Sequence, residues 1–270
     1  MTDTYKLESR AGVTLVRFTH FDKAGLAAHG ITTRIGGVSE GPLSALNMGR
    51  RGVEQPERLQ ENHRRAAAAL GVSPGSFVFS DQVHGVRLRR VSAENRLQPV
   101  LETDGLLTDT PGITLATVYA DCQAVLLYDP VRQTVGMAHA GWRGAAQGIG
   151  PLLVQAMTAH FGSRPGDLLA ALGPAIGPCC FEVGPEVPAA FEAQGVLKAD
   201  RRWLIETGGK PRLDLWHINR LLLQEAGVPA SAIAAAGLCT CCHPELFFSH
   251  RRDRGDTGRM AALMALGDSL

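Results

Sequence analysis

The sequence predicts an α+β fold, a single layered domain over residues 1–270 with mixed β-sheets flanked by helices. Three observations lead there. Strand-like and helix-like segments are interspersed without the strict alternation that a doubly wound parallel sheet needs. A hairpin is legible where the apolar, β-branched run Leu115 to Tyr128 meets the turn signal Asp129-Pro130 and resumes from Thr134 to Ala138. No repeat, low-complexity segment or linker divides the 270 residues, and 45% hydrophobic content is enough for a full core.

In chain order, the opening MTDTYKLESR mixes charges of both signs and carries no apolar core segment. Val13 to Phe18 alternates as a first strand, and His29 to Thr33 is a second. Thr32 to Gly52 holds too many glycines and serines for a regular element and reads as a long functional loop. Within it Arg34 and Asn47 are candidate ligand contacts, since a planar fork and an amide both make oriented bonds; the competing reading is that both tie the loop to itself. Pro56 opens the helix PERLQENHRRAAAAL, with Leu59, His63, Ala66 and Leu70 on one face and Gly71 as the stop. His63 is read as filling that stripe rather than facing a site.

Phe77 to Ser80 is a short strand that delivers DQVHG, placing His84 at a strand end or turn, and Val86 to Val91 is a half-exposed strand. Thr103-Asp104-Gly105 and Thr108-Asp109 flank Leu106-Leu107 as turn caps, with Asp104 near enough to the hairpin to orient a ligand there. After the hairpin, Ala145, Ile149, Leu152, Leu153, Ala156 and Met157 recur at helical spacing, so the helix begins at WRG and Arg143 sits at its start. Leu168 to Leu172 is a strand that runs into GPAIGPCCFEVGPEV. Asp214 caps a helix with Leu215, Ile218, Leu222 and Ala226 buried, which Gly227 and Pro229 end. Ile233 to Leu238 is a strand leading to CTCCHPELFFSHRRDRGDTGRM, whose density of polar chemistry predicts that it folds back onto a site.

A net charge of +1 gives no support to nonspecific nucleic-acid or polybasic membrane binding. No apolar run approaches the roughly 20 residues that cross a bilayer, and a cytoplasmic protein is expected. The six cysteines include the vicinal pairs Cys179-Cys180 and Cys241-Cys242, poor spacing for a disulfide framework, so a reducing compartment fits better.

The chemistry concentrates between Tyr119 and Gly144. Zinc catalysis wants three protein ligands and an open position, and His84, Cys122 and His139 offer imidazole and thiolate donors from three strand ends. Asp121 should point away from Cys122 if the strand is regular. Two other readings stay open: Cys122 as a nucleophile with His139 or His84 as its base, and a closed structural zinc at Cys239, Cys241, Cys242 and His243. Cys239 and Cys242 beside His243-Pro244-Glu245 also suggest a zinc nucleobase deaminase, but the two motifs are contiguous and reversed relative to that class.

The segments DQVHG, TDGLLTD, ADCQAVLLYD, HAGWRG, LGPAIGPCCFEVG and FFSHRRDRGDTGRMA, in this order, resemble the laccase-domain or YfiH-like family, also labelled purine nucleoside phosphorylase or multicopper polyphenol oxidase. The resemblance implies a YfiH-like α+β domain with a metal on His84, Cys122 and His139, zinc by preference and copper through the older label. It implies phosphorolysis of adenosine, inosine and methylthioadenosine, with adenosine deaminase activity alongside. The partners would be purine nucleosides and phosphate, with no nucleic acid and no membrane, in a monomer or small homo-oligomer. The implied catalytic residues are Cys122, His139, His84 and Arg143, and the implied substrate contacts are Arg34, Asn47, Arg64, His250 and Arg251. Arg143, with Arg251 or Arg64, would steady the phosphate. Where the family commonly has Glu-Asn-Arg, this chain has Glu61-Asn62-His63. Laccases hold four coppers largely on His-x-His pairs, and none of the nine histidines forms one. The alternatives are a cysteine-dependent amide hydrolase or cell-wall precursor editing enzyme, a polyphenol oxidase, and a non-enzymatic metal-dependent binding module.

Overall fold

Sheets covered on both faces explain why so many segments of this chain read as unbroken apolar runs. The computed structural model describes residues 4–49, 53–192 and 195–267, so the 50–52 end of the expected Thr32–Gly52 loop and the extremes of 1–270 lie outside the described residues. The strands are β1 (Tyr5–Arg10), β2 (Val13–Phe18), β3 (Ala28–Thr32), β4 (Phe77–Phe79), β5 (Leu88–Arg90), β6 (Gly105–Thr108), β7 (Thr114–Tyr119), β8 (Gln123–Asp129), β9 (Thr134–Ala140), β10 (Leu169–Leu172), β11 (Leu204–Ile205), β12 (Arg212–Leu213), β13 (Ile233–Ala235) and β14 (Met260–Ala265). The helices are α1 (Thr19–Lys23), α2 (Pro56–Leu70), α3 (Trp142–Ala146), α4 (Ile149–Phe161), α5 (Glu186–Phe191), α6 (Gly195–Ala199) and α7 (Leu215–Glu225).

One sheet runs β1-β2-β3-β14-β7-β4 and the other β13-β10-β8-β9-β6-β5. Both are mixed: β4 pairs with β7, β5 with β6 and β13 with β10 in parallel, and the remaining pairs of these sheets are antiparallel. Period-two alternation then builds the layers. Along β14, Met260, Ala262 and Met264 join a cluster with Leu126, Tyr128 and Met137 of the second sheet. Ala261, Leu263 and Ala265 face the other way, packing with Ala66, Ala69 and Leu70 of α2. On the far side of the second sheet, Val125 and Leu127 meet Leu153 and Met157 of α4 and Leu223 of α7. The order is therefore helix, sheet, sheet, helix, the α+β arrangement of mixed sheets flanked by helices that the sequence predicts.

The helix signals hold at their ends. Pro56 opens α2 and Gly71 closes it at φ 78°, a left-handed position that costs glycine nothing. Asp214 Oδ1 accepts the backbone N–H of His217 at 3.0 Å, capping α7.

Three expectations need correction, and one strand had no expectation at all. Leu115 to Tyr128 is not one strand: it breaks between β7 and β8, and its halves belong to different sheets. The break falls at Asp121, whose φ of 85° no regular strand permits, so the alternation argument for its side chain does not apply. The helix after HAGWRG is two pieces, α3 and α4, separated by Gly148 at φ 79°. Leu106-Leu107, read as lying between turns, is the middle of β6, buried between β9 and β5. Finally, β14 lies at the centre of its sheet although methionine, alanine and leucine favour helix over strand; its two ladders and two buried faces override propensity. Among the described residues of the charged N-terminal segment, β1 is an edge strand that pairs with β2.

Candidate functional site

The break after β7 carries the chain from one sheet to the other and leaves Cys122 immediately before β8. Opposite it in the hairpin, His139 pairs with Ala124 and is 3% exposed. His84 arrives from the turn after β4, at φ 61°. The ligand atoms of His84, Cys122 and His139 all lie within 4.8 Å of one another, and the two imidazoles meet edge to face with centroids 4.8 Å apart.

A buried carboxylate holds two of the three. Asp104, just before β6, places Oδ1 2.9 Å from His139 Nδ1. The same carboxylate accepts the backbone N–H groups of Val83 at 3.1 Å, His84 at 2.9 Å and Gly85 at 2.8 Å. Three consecutive amides around one anion form a nest, which supports His84 in its left-handed conformation. With Nδ1 bonded to Asp104, His139 has Nε2 left for Cys122, and once that nitrogen loses its proton this is the second-sphere arrangement of histidine metal ligands. Burial opposes ionisation of Cys122, but His139 and His84 beside it prevail and bring the thiol down to about 6. Burial likewise opposes charge on His139, while Cys122 and Asp104 raise it to about 9. Two imidazoles and a readily formed thiolate suit zinc, and three ligands leave a fourth position for a substrate or water.

His84, Cys122 and His139 line a cavity of about 1040 Å³. Phe79, Phe181, Ile176 and Trp142 give it apolar walls, and Arg143, His250, Arg251 and Arg259 give it a basic rim. Arg143 is exposed, with its guanidinium 4.3 Å over the Trp142 ring. Its helix, α3, has only five residues, so the side chain rather than a long helix start is what it offers. Arg251 donates Nη1–H to the Cys180 carbonyl at 3.1 Å.

Asp121 lines the cavity too, and its carboxylate accepts the Thr240 hydroxyl and the Arg251 N–H, both at 2.6 Å. This is how the C-terminal polar segment folds back: the residues that hold His250 and Arg251 in place hang on the turn before Cys122.

Three expected substrate contacts lie elsewhere. Arg34 spends its guanidinium on the carbonyls of Ser44 and Pro244 and on the face of Phe248. Asn47 is fully buried, accepting the N–H groups of Gly49 and Arg259. Arg64 points outward and binds Glu61 on its own helix. The first two follow the loop-tying reading, and Arg64 occupies the solvent face of α2. His63 instead lines the cavity, stacked 4.8 Å from Phe79. The set Cys239, Cys241, Cys242 and His243 does not assemble either. Cys239 and Cys242 cluster with Cys179 and Cys180, while His243 Nδ1 lies 3.1 Å from Glu245. Arg259, Phe181 and Trp142 were legible only as neighbours of motif residues; no spacing distinguished them from core or solvent-facing residues.

The family model described as multi-copper polyphenol oxidoreductase laccase matches residues 28–267. The purine nucleoside phosphorylase YlmD of Geobacillus stearothermophilus is 40% identical over 245 residues, covering 88% of this chain and 89% of that protein. A purine nucleoside phosphorylase of Deinococcus radiodurans is 42% identical over 238 residues, 88% of each chain. The crystal structure of YlmD from Geobacillus stearothermophilus superposes with a TM-score of 0.92 at 37% identity, covering 98% of this chain and 100% of that one. With a match across nearly its whole length and a shared architecture, this chain belongs to the laccase-like family that includes YlmD and YfiH.

Proposed function

We propose that the chain acts, as one catalytic unit over 1–270, as a zinc-dependent purine nucleoside phosphorylase on adenosine, inosine and methylthioadenosine, and that it deaminates adenosine in the same cavity. The observation that carries this reading is the pairing of a His84, Cys122 and His139 cluster with a basic rim inside one cavity large enough for a nucleoside and phosphate. The names of the relatives support the same class.

His84, Cys122 and His139 would hold the metal, with Asp104 fixing the tautomer of His139. Zinc bound there would supply Lewis acidity at its open position. Arg143 and Arg251 hold phosphate by charge-assisted bonds, and His250 contacts the substrate from the rim. Phe181, Phe79 and Ile176 exclude water around the purine. A phosphate oxygen forms the new bond to C1′ as the C1′–N9 bond breaks, and its electron pair leaves with the base. Deamination in that pocket would add the oxygen of a water to C6 of adenine and break the C6–N6 bond, the water's protons passing to N1 and to the departing ammonia.

The test is Cys122→Ser and His139→Ala, assayed for zinc content and for phosphate-dependent release of hypoxanthine from inosine. Loss of both is expected; full metal and activity in either variant would overturn the reading. A second reading, a cysteine-dependent amide hydrolase, is favoured only by the lowered Cys122 thiol. It requires alkylation to abolish activity in metal-free protein, whereas the metal reading gives no activity there to abolish.

A further inference from the structure

Four cysteines that the proposed reaction does not use converge from two segments far apart in sequence. Cys179 and Cys180 lie in the loop after β10, and Cys239 and Cys242 follow β13. Their four Sγ atoms lie within 4.8 Å of one another, and Cys242 Sγ is 3.4 Å from both Cys179 Sγ and Cys180 Sγ. A tetrahedral tetrathiolate with zinc–sulfur bonds of about 2.3 Å has sulfur–sulfur edges of roughly 3.8 Å, inside this spread. An iron–sulfur cluster interposes several irons and sulfides and needs its thiolates farther apart.

The backbone brings these sulfurs together without help from a metal. Ala175 and Cys239 form a parallel bridge, Ala175 donates its N–H to Leu238 O, and Thr240 donates to Ala175 O. Gly177 N–H points at Cys239 Sγ from 3.2 Å, the amide-to-sulfur bond that commonly supports a metal-bound thiolate. The thiols bond one another only weakly, since S–H is a weak donor and sulfur a weak acceptor. Soft, tetrahedral sulfur donors select zinc over harder cations.

We propose that Cys179, Cys180, Cys239 and Cys242 hold a second, closed, mononuclear zinc ion, separate in ligands and role from the His84, Cys122 and His139 centre. Binding replaces four thiol protons, released to solvent, with four zinc–sulfur bonds and needs no oxidant. The ion staples the loop carrying Ile176 and Phe181 to the segment carrying His250 and Arg251, so one wall of the cavity is fixed from behind. The Arg251 bond to the Cys180 carbonyl joins the staple to the basic rim directly.

The experiment leaves all four cysteines intact at first. Full-length His84→Ala/Cys122→Ser protein, purified anaerobically without chelator, is analysed for zinc and then reconstituted with cobalt. One zinc per chain and the intense thiolate-to-cobalt absorption of a four-sulfur site are expected, and adding Cys180→Ser should abolish that absorption. A metal-free double variant would overturn the proposal. So would a cobalt spectrum unchanged by Cys180→Ser, or mass-spectrometric detection of a disulfide from Cys242 to Cys179 or Cys180. Because the readout is metal and spectrum in a background lacking the first centre, failure here is distinct from failure of the phosphorylase reading.

Discussion

Asp104 Oδ1 lies 2.9 Å from His139 Nδ1, and through its amide bonds the same carboxylate sets the turn that presents His84. One residue that donates no lone pair to the cluster therefore positions two of its three members. Asp104→Asn keeps the shape but offers Nδ2–H groups where three amides and an imidazole already donate. Metal affinity should fall about 10- to 100-fold, as for other outer-sphere partners. Competition titration against a chromophoric chelator measures it; an unchanged affinity would mean that His139 and His84 are held by packing alone.

The turn at Asp121 makes a separate prediction. Its carboxylate accepts the Thr240 hydroxyl and the Arg251 N–H, tying the residue before Cys122 to the segment that carries part of the basic rim. Asp121→Ala strands two donors and should cost about 2–4 kcal/mol of stability by urea denaturation. On the proposed reaction, KM for the nucleoside should rise more than kcat falls, since the rim moves while the cluster's own ligands remain. A kcat loss with KM unchanged would assign Asp121 to the chemistry instead.

Cys122, His139 and His84 stand out in the sequence because they sit in short motifs between strong strand and turn signals, and the fold brings the three together even though the strand ends differ: Leu115–Tyr128 breaks beside Cys122, and β9 runs past His139 to Ala140. The layered α+β class was legible for the same reason. What was not legible lies where tertiary context outweighs local pattern. β14 is composed of helix formers and is a central strand only because β3 and β7 pair with it on either side. The split of Leu115–Tyr128 turns on one left-handed aspartate, whose carboxylate is bonded by residues more than a hundred positions downstream. Arg34 and Arg64 illustrate the limit for ligand contacts: an arginine's partners are set by what the fold brings near, and here those are carbonyls and a neighbouring glutamate.

His29 gives the pH dependence. It is fully buried, accepts the Phe18 N–H at Nε2 from 3.0 Å and donates Nδ1–H to Leu26 O at 2.7 Å, so the fold holds it neutral. Burial, then the Arg17 charge, lower it from 6.5 to about 4, against the smaller opposing pulls of the Leu26 carbonyl and Asp22. The unfolded chain therefore binds a proton between these values and the folded chain does not. Stability from this group is complete above about pH 6.5 and is lost as pH falls toward 4, on the order of 3 kcal/mol in all. In His29→Gln, whose amide offers one acceptor and one donor, the slope of unfolding free energy between pH 6.5 and 4 should flatten. Parallel slopes in the two proteins would assign the acid sensitivity to other groups, Asp22 first.

Gly141 tests the geometry of the cluster without altering a ligand. Its φ of −66° and ψ of 168° suit any residue, so glycine is not required there for backbone freedom. It is required for space: a Cβ would lie 2.9 Å from Cys122 Sγ and 3.4 Å from His84 Cδ2. In Gly141→Ala the sulfur must swing away from the two imidazoles, because the close-packed hairpin behind the new methyl cannot yield as cheaply. Metal affinity should fall by about tenfold or more, with little loss of stability in the metal-free protein. Gly148→Ala is the matched control. Nothing lies within 4 Å of its Cβ position, but its φ of 79° strains an alanine, so it should cost about 1–2 kcal/mol of stability and leave metal affinity unchanged. If both variants lost stability alike and kept the metal, close approach of Gly141 to Cys122 would not be what shapes the site.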